Sequence, residues 1–536
     1  MSEDRDAFEP FERREHAVES AARTIVALSR RDRFGIGWRP KGIDEVAILL
    51  ESLGYSPEVV AELWYPDLFA LARDVSVAVN RYVTDEERRE PPSLDWFTQT
   101  CRDYAIGSLY SAPWIVAVIG LAIFGASLWS SLSTPLHLAT AIALGVYTAQ
   151  IVSGFFSQGI ARRLTFYFLQ SNDALMAWTV RRFVVAGVVT TAFVSAIVYV
   201  ALATVVAASD AMLAALFCAG TAIFQLALAP LYTLRRFSWI VALAVLATAI
   251  TGSTFVFFFH RHVDLPWEPA TLAVEVGILG AAILTSTMSW LTRRAAATSE
   301  PVPPALGSIV RSTLPYAAFG ALYFTSILID RVAAGVAAAN GHGFAYASAY
   351  ELGADIALLA ILPVVGVINV MLEALPRRIL KGAEGAIRDL EKFDRSMLRF
   401  YVWGILAVAA ATLLAAALGE VIGSRLILSA RLGTSGDAAL SLIVLRFAIP
   451  AYGLVMLGLL NTQLLFFLSR PKAPVIGTAV ATLAALATCS WALGAHLPAE
   501  AMVGGLMASA ATFTVITTVA AVRTMRRFSY AYYAAY

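Results

Sequence analysis

The chain has 536 residues, 59% of them hydrophobic and only 15% charged, against roughly half apolar and a quarter charged in a soluble domain. That excludes a soluble enzyme, a disordered protein and a disulfide scaffold, and a formal charge of +2 gives no case for nucleic acid. The charge is unevenly placed: residues 1–103 hold 14 of the 40 Lys and Arg and 21 of the 38 Asp and Glu, a net of −7, and the remainder carries +9. An acidic polar head is thus joined to a long, apolar, mildly basic body. Cys101, Cys218 and Cys489 are far apart and match no metal spacing or disulfide pattern. The acidic start, Met1–Asp6, followed by about a hundred residues without an apolar run, is not a signal peptide.

In the head, residues 7–31 read as one amphipathic, charge-laced helix ended by Gly35, Gly37, Pro40 and Gly42. Short helices follow at 43–52 and 57–63, the second with Ser56 as N-cap and Pro57 in the first turn. Residues 66–82 repeat apolar groups at helical spacing, and Pro91-Pro92 punctuate a linker. The head contains no Gly-rich phosphate loop and no His/Cys cluster, so a packing or partner-docking module is expected of it rather than catalysis.

From Ala112 the chain is a series of apolar stretches, each near the ~20 residues that cross a bilayer. Twelve spans are predicted, at 112–131, 135–158, 183–207, 211–233, 237–259, 268–291, 313–337, 347–372, 400–418, 438–468, 473–495 and 499–522. The connections after spans two, four, six, eight and ten, together with the C-terminal segment, hold 21 Lys and Arg; the opposite set holds only Arg261, Arg425 and Arg431. That bias places both termini in the cytoplasm. Pro301, Pro303 and Pro304 separate six spans from six, which predicts three domains: a cytoplasmic helical domain at 1–100 and two six-helix lobes at 101–300 and 301–536. The expected fold is therefore an all-α polytopic membrane protein. Residues 376–399 read as a helix lying on the cytoplasmic surface, basic on one face and apolar on the other.

Charged residues inside spans are costly and face a cavity or one another. They are Glu275 in span six, Asp330 and Arg331 in span seven, Glu351 and Asp355 in span eight, and Arg446 in span ten. At helical rise all six fall in one layer, in the outer half of the membrane. Glu351 and Asp355, four residues apart, share a helix face. Two readings stand side by side. In one, the six line a substrate or ion path, with Glu275, Glu351 and Asp355 as titrating groups and Arg331 and Arg446 as their partners. In the other, Arg331 with Asp355, or Arg446 with Glu351, are buried pairs that lock spans together. Asn369, Asn461 and Gln463 are ordinary helix–helix hydrogen bonders, and Pro230, Pro363 and Pro450 are expected to kink their spans. His137, His260, His262, His342 and His496 map to the outer surface or outer span ends, where interfacial packing outweighs pH sensing.

The sequence has no phosphate-binding G-x-x-x-x-G-K, no HExxH and no GxSxG. No enzyme activity, cofactor or metal is expected. The stretches DYAIGSLYSAPWIVAVI (103–119), GFFSQGIARRLTFYFLQ (154–170), YFTSILIDRVAAG (323–335) and AYELGADIALLAILP (349–363) together resemble the membrane exporter subunit of the Pel exopolysaccharide system, a branch of the multidrug/oligosaccharidyl-lipid/polysaccharide (MOP) flippase superfamily. The Tyr-Glu-Leu-Gly-x-Asp run and the Asp330-Arg331 pair are the most specific parts, and the likeness spans residues 101–536; the acidic head departs from it. The resemblance implies a V-shaped pair of helical bundles with alternating access, in the bacterial inner membrane. It further implies a polysaccharide or lipid-linked sugar as substrate, and a cytoplasmic glycosyltransferase and other membrane subunits of an export complex as partners. Two other readings stay open: a drug antiporter of the same superfamily, and a non-transporting scaffold for a synthase complex.

Overall fold

The computed structural model describes residues 14–26, 43–53, 55, 57–87, 96–113, 115–116, 135–170, 172–261, 267–295, 304–339, 343–386, 389–429 and 435–534. Among them every regular element is helical. The chain divides into two compact units, Met1–Gln99 and Thr100–Tyr536.

The first unit holds α1 (residues 14–26), α2 (Ile43–Ser52), α3 (Pro57–Glu62) and α4 (Leu68–Glu87). Apolar residues three and four apart fall on one helix face. Those faces meet in a core of Ala22, Ile25, Val46, Leu50, Leu71, Val75 and Val79. Tyr65 is buried beside this core and donates to Asp74 Oδ2 at 2.6 Å; Arg14 reaches the same oxygen at 3.2 Å and lies over the Tyr65 ring. Ser56 and Pro91-Pro92 lie outside the described residues.

The second unit begins in the course of α5 (Trp96–Ser108). It continues through α6 (Leu136–Leu169), α7 (Asp173–Leu202), α8 (Ala208–Thr233), α9 (Phe237–Arg261) and α10 (Trp267–Ala295). Next come α11 (Leu306–Ala338), α12 (Ser348–Ile361), α13 (Pro363–Ala386), α14 (Leu390–Ser429), α15 (Ser435–Phe467), α16 (Lys472–Gly494), α17 (Val503–Met525) and the short α18 (Phe528–Tyr533). Eleven helical stretches among the described residues are long and apolar enough to cross a membrane, with α12 and α13 forming one of them. The protein is an all-α polytopic membrane protein. The predicted span 112–131 falls almost wholly outside the described residues, as do Pro301, Pro303, His262 and His342.

The membrane helices close around two main cores, one from residues between Ile160 and Leu291 and one from residues between Ala333 and Ala531. The seam between the two groups runs along α6 and α11, which lie antiparallel. Thr140 Oγ1 accepts from Tyr346 N (3.0 Å) near one membrane face, and Arg163 Nε donates to Thr313 Oγ1 (3.0 Å) near the other. Midway the backbones nearly touch: a Cβ on Gly320 would lie 2.1 Å from the Gly154 carbonyl oxygen, so only glycine permits this crossing.

Two expectations need correction. Residues 376–399 do not form one surface helix: 376–386 continue α13 and 390–399 open α14, whose first turn is capped by Asp389 Oδ1 on Lys392 N (2.9 Å). Pro376 sits inside α13 without ending it. The ninth span is also far longer than 400–418. At 40 residues α14 is about 60 Å long, beyond the ~30 Å hydrocarbon core. Its overhang carries α18, whose Ser529 N and Oγ donate to Asp394 (2.7 and 3.1 Å).

Candidate functional site

Arg331 is the organising residue. Helix α11 presents it to the N-terminal part of the broken span eight, α12, whose i, i+4 pair Glu351 and Asp355 faces it. Its Nη1 donates both to Glu351 Oε2 and to Asp355 Oδ1, the latter at 2.7 Å; its Nη2 donates to the Tyr452 hydroxyl of α15 at 3.2 Å. Glu351 holds a second partner across the seam, the Tyr147 hydroxyl of α6, which donates to Oε1 at 2.5 Å. Asp330 is wholly buried and accepts from Tyr350 at 2.6 Å.

Burial divides the two acids that share the arginine. The side chains of Arg331 and Glu351 are 8% and 4% exposed, whereas that of Asp355 is 56% exposed. A half-exposed carboxylate inside an apolar helix does not face lipid at tolerable cost. Asp355 is tied to the side of α12 that meets Arg331 and, through Glu351, Tyr147 of the opposite helix group. Asp355 thus shares its arginine with Glu351, whose other partner, Tyr147, belongs to the opposite helix group. Chemically the site offers one accessible carboxylate backed by a guanidinium that is already balanced from the interior. It contains hydrogen-bonding and ionic groups suited to holding a polar cargo, and no nucleophile activated by a base.

Of the six charged residues singled out from sequence, the structure gathers Asp330, Arg331, Glu351 and Asp355. The single layer of six needs correction. Glu275, on α10, accepts instead from Thr254 of α9 at 2.7 Å. Arg446 does not meet Glu351: its Nε donates to Glu420 of α14 at 2.8 Å, and the two side chains are 63% and 37% exposed. Depth along a helix had placed these two with the others; rotation about the helix axis separates them. Tyr147 and Tyr452 were not singled out from sequence, because an aromatic in an apolar run reads as packing. Tyr350 opened the Tyr-Glu-Leu-Gly-x-Asp run of the resemblance, with no role assigned to it. Asn461 is a structural hydrogen bonder, accepting from Tyr401 (2.8 Å) and donating to Thr518 (2.9 Å). Among the described residues no group of three His, Cys, Asp or Glu could hold a metal ion.

No family model matches the sequence, and no curated protein matches it. Solved structures do. A MOP superfamily transporter from Pyrococcus furiosus, described as having a binding pocket of reversed polarity that suggests a different function, matches with TM-score 0.56 at 15% identity, over 80% of this chain and 96% of that one. A multidrug resistance MATE family transporter of the MOP superfamily matches in its outward-facing conformation with TM-score 0.54 at 13% identity, and in its inward-facing conformation with 0.51 at 12%. Each of these covers 80% of this chain and 96% of the other. The membrane unit therefore has the fold of these transporters.

Proposed function

We propose that the protein is a transporter of the bacterial inner membrane that moves a polysaccharide or lipid-linked glycan outward by alternating access, without covalent chemistry. The observation that carries this reading is the Arg331 site: an accessible carboxylate, Asp355, held at the seam between two helix groups of a transporter fold. The arginine bias of alternate connections supports cytoplasmic termini, with the site in the outer half of the membrane and the acidic head, as a cytoplasmic domain, available to a glycosyltransferase or another subunit. The ion pairs and tyrosine hydroxyls of the cluster can hydrogen-bond a polar cargo, which supports a sugar as substrate. The names of the structural neighbours favour a drug antiporter as second reading.

The test is Asp355→Asn in cells that export the polymer. The expected result is loss of exported glycan with the protein still present in the membrane at its normal level. Parallel loss of protein and export would make the cluster a lock between helices; unchanged export would remove Asp355 from the path. Resistance to cationic dyes conferred by the wild-type protein and lost in the variant would move the reading to drug efflux.

A further inference from the structure

Helix α10 has two unlike faces. Ala273, Val276, Ile283, Leu284 and Leu291 are buried, and Gly277 and Gly280 bring the helix against Gly220 and Phe224 of α8. The face turned away from that contact carries Val274, Ile278, Ala282, Thr285, Ser289 and Arg293, at steps of three or four residues. It changes character along its length. Val274 and Ile278 are exposed apolar side chains, as lipid-facing positions of a span are. From Thr285 onward the same face turns to hydroxyls and ends on a guanidinium. There Thr285, Ser286, Ser289, Trp290 and Arg293 line a hollow of about 280 Å³. The span closes at Arg293, on the side whose connections hold most of the Lys and Arg. Thr285 lies eight residues, about 12 Å, deeper along the axis.

The hollow holds positive charge without a counter-charge. Among the described residues no acid lines it, Arg293 has no ion-pair or hydrogen-bond partner, and the hydroxyls of Ser286 and Ser289 have none either. The Arg236 guanidinium lies over the Trp290 ring, 5.0 Å from its centre, and adds a second cation beside it. Lone guanidinium and hydroxyl groups are costly against lipid tails, so a polar group of opposite charge suits the hollow better than a hydrocarbon chain. A watery cargo path would be polar over the whole face, and the exposed Val274 and Ile278 are not. An amphiphile matches the sequence of side chains instead: tails on Val274 and Ile278, ester oxygens on the hydroxyls, a phosphate on Arg293. The volume equals about nine waters, room for a glycerol phosphate.

We propose that this hollow binds the headgroup of an anionic phospholipid, its phosphate on Arg293, its glycerol ester oxygens on Ser286 and Ser289, and Trp290 as the interfacial wall. The lipid supplies the negative charge that this end of α10 lacks. The inference rests on the membrane-spanning fold and not on what the protein transports.

The test titrates dioleoyl phosphatidylglycerol into the purified full chain in detergent and counts bound lipid by native mass spectrometry. The wild-type protein should retain one phosphatidylglycerol most tightly, and hold phosphatidylcholine several-fold more weakly. Arg293→Gln should weaken that tightest site about tenfold, the scale of one charge-assisted hydrogen bond. Ser286→Ala with Ser289→Ala should weaken it too, with no change of charge. These side chains are exposed or half-exposed, so the contact with α8 is untouched. Arg181→Gln, which removes an equal charge from an exposed residue of the same arginine-rich set, should leave the site as it was. An excess of sn-glycerol 3-phosphate should displace nothing. Unaltered affinity in either site variant overturns the proposal, as does equal retention of the two lipids. A loss in Arg181→Gln equal to that in Arg293→Gln would reduce the binding to general charge attraction and also overturns it. Displacement by sn-glycerol 3-phosphate would make the ligand a soluble phosphate and not a lipid.

Discussion

Replacing Arg331 by leucine removes the guanidinium that pairs with Glu351. Glu351 is 4% exposed, and what remains to it is the Tyr147 hydroxyl at 2.5 Å. Breaking a buried pair by deleting one partner costs about 3–5 kcal/mol, because a charge is left uncompensated in a poor dielectric. Asp355 also loses its arginine, but with 56% of its side chain exposed water screens it, and that pair is worth about 1 kcal/mol or less. The expected order of destabilisation is therefore Arg331→Leu first, then Glu351→Gln, which leaves Arg331 paired to Asp355, and Asp355→Asn last. The double variant Arg331→Leu/Glu351→Leu should recover most of the loss, since removing both charges removes the desolvation problem. Unfolding in mixed detergent micelles, run as a double-mutant cycle, gives the coupling energy directly. If Asp355→Asn costs as much as Arg331→Leu, or if the double variant falls by the sum of the singles, the assignment of Glu351 as the interior member and Asp355 as the solvent-facing one is wrong.

Gly320→Ala should force α6 and α11 apart and cost about 1–3 kcal/mol, because its Cβ would lie 2.1 Å from the Gly154 carbonyl oxygen; Gly307→Ala, with open space around it, is the control in the same melting assay. In the head, burial holds the Tyr65 hydroxyl above its ordinary range, aided by its hydrogen bond to Asp74. A raised folded-state value means stability that is complete below the unfolded phenol value near 10 and lost as pH rises through the folded one. Residues 1–99 expressed alone should be soluble and helical by circular dichroism and melt progressively earlier above pH 10; Tyr65→Phe should flatten that dependence, and an equally steep one in the variant would discredit the role of Tyr65. For topology, a cysteine at Lys392 should resist impermeant thiol reagents in intact cells and one at Ser209 should react; the reverse pattern would invert the membrane orientation.

The spans were legible because apolar runs near 20 residues are conspicuous in any sequence. The core of the site was legible for the complementary reason: Asp330, Arg331, Glu351 and Asp355 are charges where charges are expensive. What linear spacing could not supply was rotation and reach. It grouped Arg446 and Glu275 with the others by position along their helices but could not tell which neighbours they meet, and it ended span nine at 418, short of Glu420, the residue Arg446 meets. The tyrosines were hidden by chemistry: Tyr147 and Tyr452 use only a hydroxyl at the tip of an otherwise apolar side chain. Asp103 and Arg377 form an ion pair although they are 274 residues apart, and no periodicity joins residues so distant. A helix start was set at Pro376, which reads as a break, yet α13 runs through it to Ala386 and α14 starts at Leu390.

One arginine shared by a sheltered and an exposed carboxylate gives the site two different sensitivities to the surrounding electrolyte. Mobile ions reach Asp355 and screen it over a Debye length of about 8 Å at physiological strength; they do not enter around Glu351. Raising salt should therefore loosen the contact with Asp355 while the sheltered one keeps Arg331 in place. The osmotic and ionic setting in which the cell lives would then tune how readily Asp355 is surrendered to a competing group, with the guanidinium itself standing still.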